Sequence, residues 1–281
     1  MKALSDLIRG VFRHPLKTGS YIFSSFSIMF TLVKAINHFL PSIKIDGSPA
    51  LIAITCISVG FGLKKVWKPS KIKIKTAQSD TIIEVLFGDL FVQSGIRIIA
   101  VNDFFDSKIG NPVSDKSLHG IFLKECFGGS PLSFDQQLDE QLKDVNGENV
   151  PEKEGKIKRY PIGTTAVVTV NIDKYVLFAL TNTDATDCKA SSDVTNMWYA
   201  LHCMWQRARS ESGGHEVNLP LVGSGLSGLG LPTRDLLNVI ILSAITETKA
   251  REVTKKIRIV LHESRFEELD LRNVQSYWEE K

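Results

Sequence analysis

Apolar residues are distributed along the chain in three regimes. Leu4, Leu7, Ile8, Val11 and Phe12 recur with helical spacing beside Arg9 and Arg13, the pattern of a helix lying in a membrane interface or of a short extension of the next one. Two longer apolar segments follow, Tyr21–Leu40 and Ala50–Val66, separated by the turn-rich PSIKIDGSP, and each is near the roughly 20 residues that cross a bilayer. They predict a transmembrane helical hairpin over 19–67 behind an amphipathic basic N-terminus over 1–18. Lys34, Asn37 and His38 interrupt the first segment and Lys64 and Lys65 close the second, so those heads must reach toward the headgroups. Lys34 is alternatively a charge facing a pore or partner helix. Buried core helices or a signal peptide give similar apolar runs, but no small-residue cleavage site is evident and the second segment argues against simple secretion.

From residue 68 the period changes. IKIKT, IIEVLFG and IRIIAVN read as strands, and TTAVVTVNI with YVLFALT reads as a strand pair. Val194–Ser210 is periodic through Met197, Leu201, Met204 and Trp205, and Thr233–Lys249 through Leu236, Leu237, Ile240, Ile241 and Ala244. The second of these helices lies between the strands HEVNLPLV and KIRIVLH, and strand, helix, strand predicts parallel pairing in a mixed α/β sheet. Residues 128–160 are polar, with little periodicity beyond Leu132, Phe134, Leu138 and Leu142, and read as a mobile inserted loop carrying one short helix.

Charge divides the chain at the same place. Residues 1–75 hold 12 basic and 2 acidic side chains, whereas the remainder holds 22 and 29, so a net +10 meets a net −7. A basic, apolar head suits an anionic lipid bilayer, and the acidic remainder lacks the broad positive groove that nucleic acid requires. Lys2, Arg9, Arg13 and Lys17 precede the hairpin and Lys64, Lys65, Lys68, Lys71, Lys73 and Lys75 follow it, against Lys44 alone in the connection. That asymmetry predicts a multi-pass cell-membrane protein with both ends cytoplasmic. The four cysteines fit no zinc spacing and predict reduced thiols; no metal site is expected.

The chemistry concentrates at strand ends. In LPLVGSGLSG, Gly223, Ser224, Gly225, Leu226, Ser227 and Gly228 follow a strand, and their backbone N–H groups are placed to meet phosphate. The G-x-G-x-x-G spacing also occurs in dinucleotide sites, but Pro232 separates the loop from the helix, and the next strand-ending acid, Glu263, comes too late for a ribose. FGDLF places Asp89 and Leu90 after one strand, and VNDFFD places Asn102 and Asp103 after another. Asp103 and Asp106 are either ribose contacts or solvated loop carboxylates. His119 in SLHG is a ligand contact, an acid/base group or a structural imidazole.

In combination, FGDLF, VNDFFD, LPLVGSGLSG and KIRIVLH resemble the macro domain, a three-layer α/β/α module that binds ADP-ribose, over about residues 72–265. The resemblance implies that Asp89 accepts from the adenine amino group with Leu90 supplying a backbone contact, that Asn102 lies near the distal ribose, and that Gly223 through Gly228 wrap the diphosphate. Together with the membrane hairpin, SLHG and YPIGTT, these motifs resemble the membrane-anchored macro effectors of bacterial Thoeris anti-phage systems. That family implies an ADP-ribose-derived signal made by a TIR-domain partner, homo-oligomer assembly on binding and membrane disruption.

Three departures stand out. Phe105 occupies the place of the first loop's second Asn, SDKSLHGIF replaces the usual double glycine, and Ser227 stands where many members have an aromatic residue. Hydrolytic members use those details to orient a water, so the expectation is a binding protein with ADP-ribose or a conjugate as ligand and no other cofactor. The alternatives are a hydrolase of ADP-ribosyl or acyl groups and a membrane scaffold with a degenerate pocket.

Overall fold

A computed structural model describes residues 2–75, 79–225 and 229–279. It divides into two units, Met1–Ser70 with Asp270–Arg272, and Lys71–Leu269 with Asn273–Lys281.

The first unit holds three helices: α1 (Lys2–Arg13), α2 (Pro15–Phe39) and α3 (Gly47–Val66). Pro15 begins α2 where a helix has no use for its missing N–H, and the non-helical His14 separates it from α1. Asn37, read from the sequence as an interruption, closes the hairpin: its Nδ2 donates to Ile45 O at 2.8 Å and its Oδ1 accepts from Ile45 N–H at 3.0 Å. On α3 the buried residues are Ile54, Ser58, Gly62 and Val66, one stripe at four-residue spacing. Gly62 permits the closest approach, since a Cβ there would stand 2.4 Å from Ile22 Cγ1. Thr18, Thr55 and Ser58 return their hydroxyls to carbonyls four residues back at 2.7–2.9 Å, which removes the cost of placing them in an apolar setting. Phe23, Ile28, Leu32, Ile52 and Ile57 remain exposed. Both α2 and α3 are long and apolar enough to cross a membrane.

The second unit is built in chain order from β1 (Lys71–Lys75), β2 (Ile82–Phe87), β3 (Ile96–Asn102), α4 (Leu118–Phe127), α5 (Leu132–Leu142), β4 (Glu148–Asn149), β5 (Lys158–Arg159), β6 (Thr165–Val170), β7 (Asp173–Thr183), β8 (Ala190–Ser191), α6 (Val194–Ser212), β9 (Val217–Pro220), α7 (Thr233–Ala250), β10 (Lys256–Leu261) and, from Asn273 onward, α8 (Leu271–Glu279). The main sheet runs β1-β2-β10-β9-β3-β7-β6, with β8 paired to β7. Its five central strands are parallel and the flanking β1 and β6 are antiparallel.

Alternation along the strands feeds two cores. One face, with Ile99, Val101, Leu177 and Ala179, packs on Phe122 and Leu123 of α4 and on Phe134, Leu138 and Leu142 of α5. The opposite face is covered by α6 and α7, whose Met197, Leu201, Met204, Leu236, Ile240 and Ile241 are buried. Trp205 Nε1 ties these helices by donating to Ser243 Oγ at 3.0 Å. The expected three-layer α/β/α domain with a mixed sheet is therefore present.

One expectation is corrected. The stretch 128–160 carries the one short helix expected there, α5, but that helix packs over β6 in place of standing clear in a loop, and β4 and β5 pair with each other. Phe134, Leu138 and Leu142 form one buried stripe of α5 beside the α4 residues, so the weak periodicity in sequence reflects one buried side on an otherwise polar helix.

Candidate functional site

Because the central strands are parallel, the loops after β2, β3, β7, β9 and β10 all emerge at one edge of the sheet. From β9 the chain passes through α7 to β10 on one side; from β3 it passes through α4 and α5 to β7 on the other. The order reverses between β9 and β3, the point at which open α/β sheets bind ligands. Here the two strands also part: they pair only at Ile96–Val217 and Arg97–Asn218, after which β3 continues along β7 to Asn102 and β9 ends at Pro220. The resulting crevice is bordered by the glycine loop on one side and VNDFFD on the other.

Gly223 turns the chain with φ +83°, and a Cβ there would stand 2.5 Å from Leu229 Cδ1 and 3.1 Å from Leu236 Cδ2. The backbone there favours glycine, and any side chain would have to displace Leu229. Ser224 Oγ donates to Leu221 O at 3.4 Å, and Gly225 is exposed, a Cβ placed there meeting nothing within 4 Å among the described residues. Leu226, Ser227 and Gly228 lie outside the described residues.

Asp89 follows β2 on the same edge and is exposed, with Oδ1 accepting from Phe91 N–H at 2.8 Å. Leu90 turns its side chain into the α4/α5 core, which leaves its backbone as the part available to a ligand. Asn102 ends β3 and is half-buried; its Nδ2 donates to Asp106 Oδ2 at 2.8 Å and its Oδ1 accepts from Asp106 N–H at 3.1 Å.

Asp103, expected on the ligand side, is instead drawn into the fold. Its Oδ1 accepts from Thr183 N–H at 3.0 Å, its Oδ2 lies 3.2 Å from Arg159 Nε, and its backbone joins Thr181 and Tyr160. Burial raises its pKa to about 6, against the opposing pull of Thr183 and Arg159. His119 also turns inward, in the first turn of α4 capped by Ser117, with its ring 6.2 Å from that of Phe134. Burial first and the Lys156 charge second hold its pKa down to about 3, so the imidazole is neutral and unsuited to proton exchange near pH 7. Its Nε2 has no hydrogen-bond partner among the described residues. The structure thus brings Asp89, Asn102, Gly223, Ser224 and Gly225 to one edge and directs the side chains of Leu90, Asp103 and His119 away from it.

The family model for the macro domain of Thoeris protein ThsA matches residues 83–262. The chain belongs to the ThsA macro-domain family. Among solved structures it is similar to two mutants of the Oceanobacillus iheyensis macrodomain. The one with ADPR is 13% identical, with a TM-score of 0.52 over 75% of this chain and 100% of that one. The other is 12% identical, with a TM-score of 0.51 over 75% and 99%. At such identities the likeness concerns the fold. No curated protein matches the chain.

Within this ThsA macro domain, two further residues shape the edge that sequence reasoning passed over. Arg265, just after β10, donates to Ser224 O at 3.3 Å, to Thr233 Oγ1 at 3.4 Å and to both Glu268 carboxylate oxygens at 2.9–3.0 Å. It braces the glycine loop at both ends. Lys153, from the stretch read as a mobile loop, is buried and donates to Asp106 Oδ2 at 2.7 Å. Neither carried a sequence signal, because an Arg or Lys among other charged residues reads as solvated. Phe105, the departure from the first-loop motif, is fully buried with φ +52° and packs edge-on against Tyr160 at 5.7 Å. Bulky residues seldom adopt that backbone, so the loop is held in shape by the packing around it.

Proposed function

We propose that this chain is a membrane-anchored effector of anti-phage defence whose macro domain binds an ADP-ribose-derived nucleotide made by a TIR-domain partner. The parting of β3 and β9 carries the reading, because the exposed glycine loop after β9 and the fixed Asn102 at the end of β3 leave the same edge of the sheet on either side of it. In the proposed pose Asp89 receives the adenine amino group, the Leu90 backbone lies beside the base, Gly223 through Gly228 surround the diphosphate and Asn102 meets the distal ribose. The macrodomain neighbour with ADPR and the ThsA family match support this ligand class.

Binding without turnover is the favoured chemistry. His119 is neutral and turned inward, and Phe105 replaces the second loop Asn, so neither supplies a group that activates water. The hairpin of α2 and α3 crosses the cell membrane, with the N-terminus and macro domain cytoplasmic, as the exposed apolar surface of both helices and the flanking lysines favour. Ligand affinity that differs between resting and assembled states then drives assembly of several copies and disrupts the bilayer.

The test uses the full chain in dye-loaded vesicles of anionic lipid. Addition of the nucleotide product of a TIR-domain enzyme is expected to release the dye, and retention of dye despite measured nucleotide binding would sink the effector half of the proposal.

A further inference from the structure

Three donors converge on the Asp106 carboxylate: Asn102 Nδ2 at 2.8 Å and Lys153 Nζ at 2.7 Å on Oδ2, and Lys156 N–H at 2.9 Å on Oδ1. The Lys153 side chain is 0% exposed and that of Asp106 1%. Taking both charges out of water is costly, and apolar replacement of such a pair is often neutral or stabilising, so stability alone is a weak reason for it.

The surroundings indicate what the pair holds. Lys153 Nζ also donates to Glu154 O at 2.7 Å and sits 4.3 Å from the Phe104 ring centroid. The Glu154 carboxylate is gripped by Lys108 at 2.6 Å and Asn111 at 2.5 Å. Gly155, at φ +93°, comes so near that a Cβ would stand 2.6 Å from Asp106 Oδ1. The segment 153–156 is thus fastened over the loop that follows β3. Its effect reaches Asn102, whose carboxamide is fixed by one donated and one accepted hydrogen bond to Asp106. Among the described residues the second N–H and second lone pair of that carboxamide take no partner, and the group is already oriented. A ribose hydroxyl can accept from that N–H or donate to that lone pair, and fixing the carboxamide beforehand removes an ordering cost from binding.

We propose that Asp106 and Lys153 are positioning residues which, through Asn102, set the preference of the crevice for a nucleotide carrying a second sugar over one that ends in its diphosphate. This rests on the placement of Asn102 at the distal ribose.

The experiment titrates ADP-ribose and ADP separately into the full chain in detergent micelles, as wild type, Lys153→Met and the doubly neutral Asp106→Leu/Lys153→Met, with circular dichroism reporting the fold. The double variant leaves no unpaired buried charge and is the safeguard if Lys153→Met does not fold. With no side-chain acceptor at position 106, Asn102 Nδ2 loses its partner and the carboxamide keeps only its bond from the backbone N–H. Wild type is expected to prefer ADP-ribose, and each folded variant to lose at least fivefold of that preference while its ADP affinity stays within about twofold. An unchanged preference in the folded double variant, or an equal loss for both nucleotides, overturns the proposal. Wild type that binds neither nucleotide overturns the reading of the site itself.

Discussion

Asp103 is a carboxyl whose environment makes it titrate where most carboxylates are already ionised. Its pKa is 3.8 in an unstructured chain and about 6 in the fold, so the folded state holds the proton more tightly. The stability this contributes is fully present below about pH 4 and is lost as pH rises through 6, by on the order of 3 kcal/mol for a shift of about two units. Buried neutral His119, with a pKa of about 3 in the fold against 6.5 in an unstructured chain, pulls the other way over the same range. The Asp103 contribution is therefore a difference: as pH falls from 7 to 4 the gap in urea resistance between wild type and Asp103→Asn is expected to move in favour of wild type. Urea midpoints at four or five pH values check it; an identical pH dependence in the variant contradicts the assignment. At this scale the candidate site was partly legible. Asp89, Asn102 and the glycines were readable because each ends an apolar run with a residue whose backbone or short side chain suits a ligand. Asp103 was misplaced because sequence gives the end of β3 but not which neighbouring strand claims the carboxylate. Lys153 was invisible because only the folded loop removes it from water.

Among the elements, the one that most alters the sequence reading is α5. Its buried stripe of Phe134, Leu138 and Leu142 completes the core beneath β3, β6 and β7, so the stretch 128–160 contributes to stability as well as to the site. Leu138→Ala is expected to cost about 2–5 kcal/mol, the range for deleting a large side chain from a packed core, measured as a shift in the urea transition of the full chain in detergent. A loss under about 0.5 kcal/mol, the ordinary range of a surface change, would return α5 to the status of an appended loop. The other elements were easier to read. The unit β9–α7–β10 announced itself because β9 lies between Gly214 and Gly223 and the helix carries an uninterrupted apolar stripe, and β6 with β7 because two apolar runs are separated by Asn171 and the fully solvated Ile172. What no pattern of one chain can supply is the partial pairing of β3 with β9, since register at a crossover is decided by the loops on either side.

For the molecule as a whole, two physically different units share one chain: a helical hairpin with an apolar exterior, and a three-layer domain with a crevice at its strand-order reversal. The division in charge between residues 1–75 and the rest follows the same boundary, which is why the two-part organisation is legible in the distribution of charge and apolar residues alone. The account gives each unit one task, nucleotide recognition for the second and residence in the bilayer for the first, and the whole depends on the crevice binding an ADP-ribose-type ligand without consuming it. Calorimetric titration of ADP-ribose into the full chain in detergent micelles, followed by recovery of the nucleotide, tests that directly. The account predicts saturable binding at one site per chain, intact ADP-ribose afterwards, and affinity at least tenfold weaker for Asp89→Ala; absence of saturable binding at millimolar nucleotide, or its conversion to product, would contradict it.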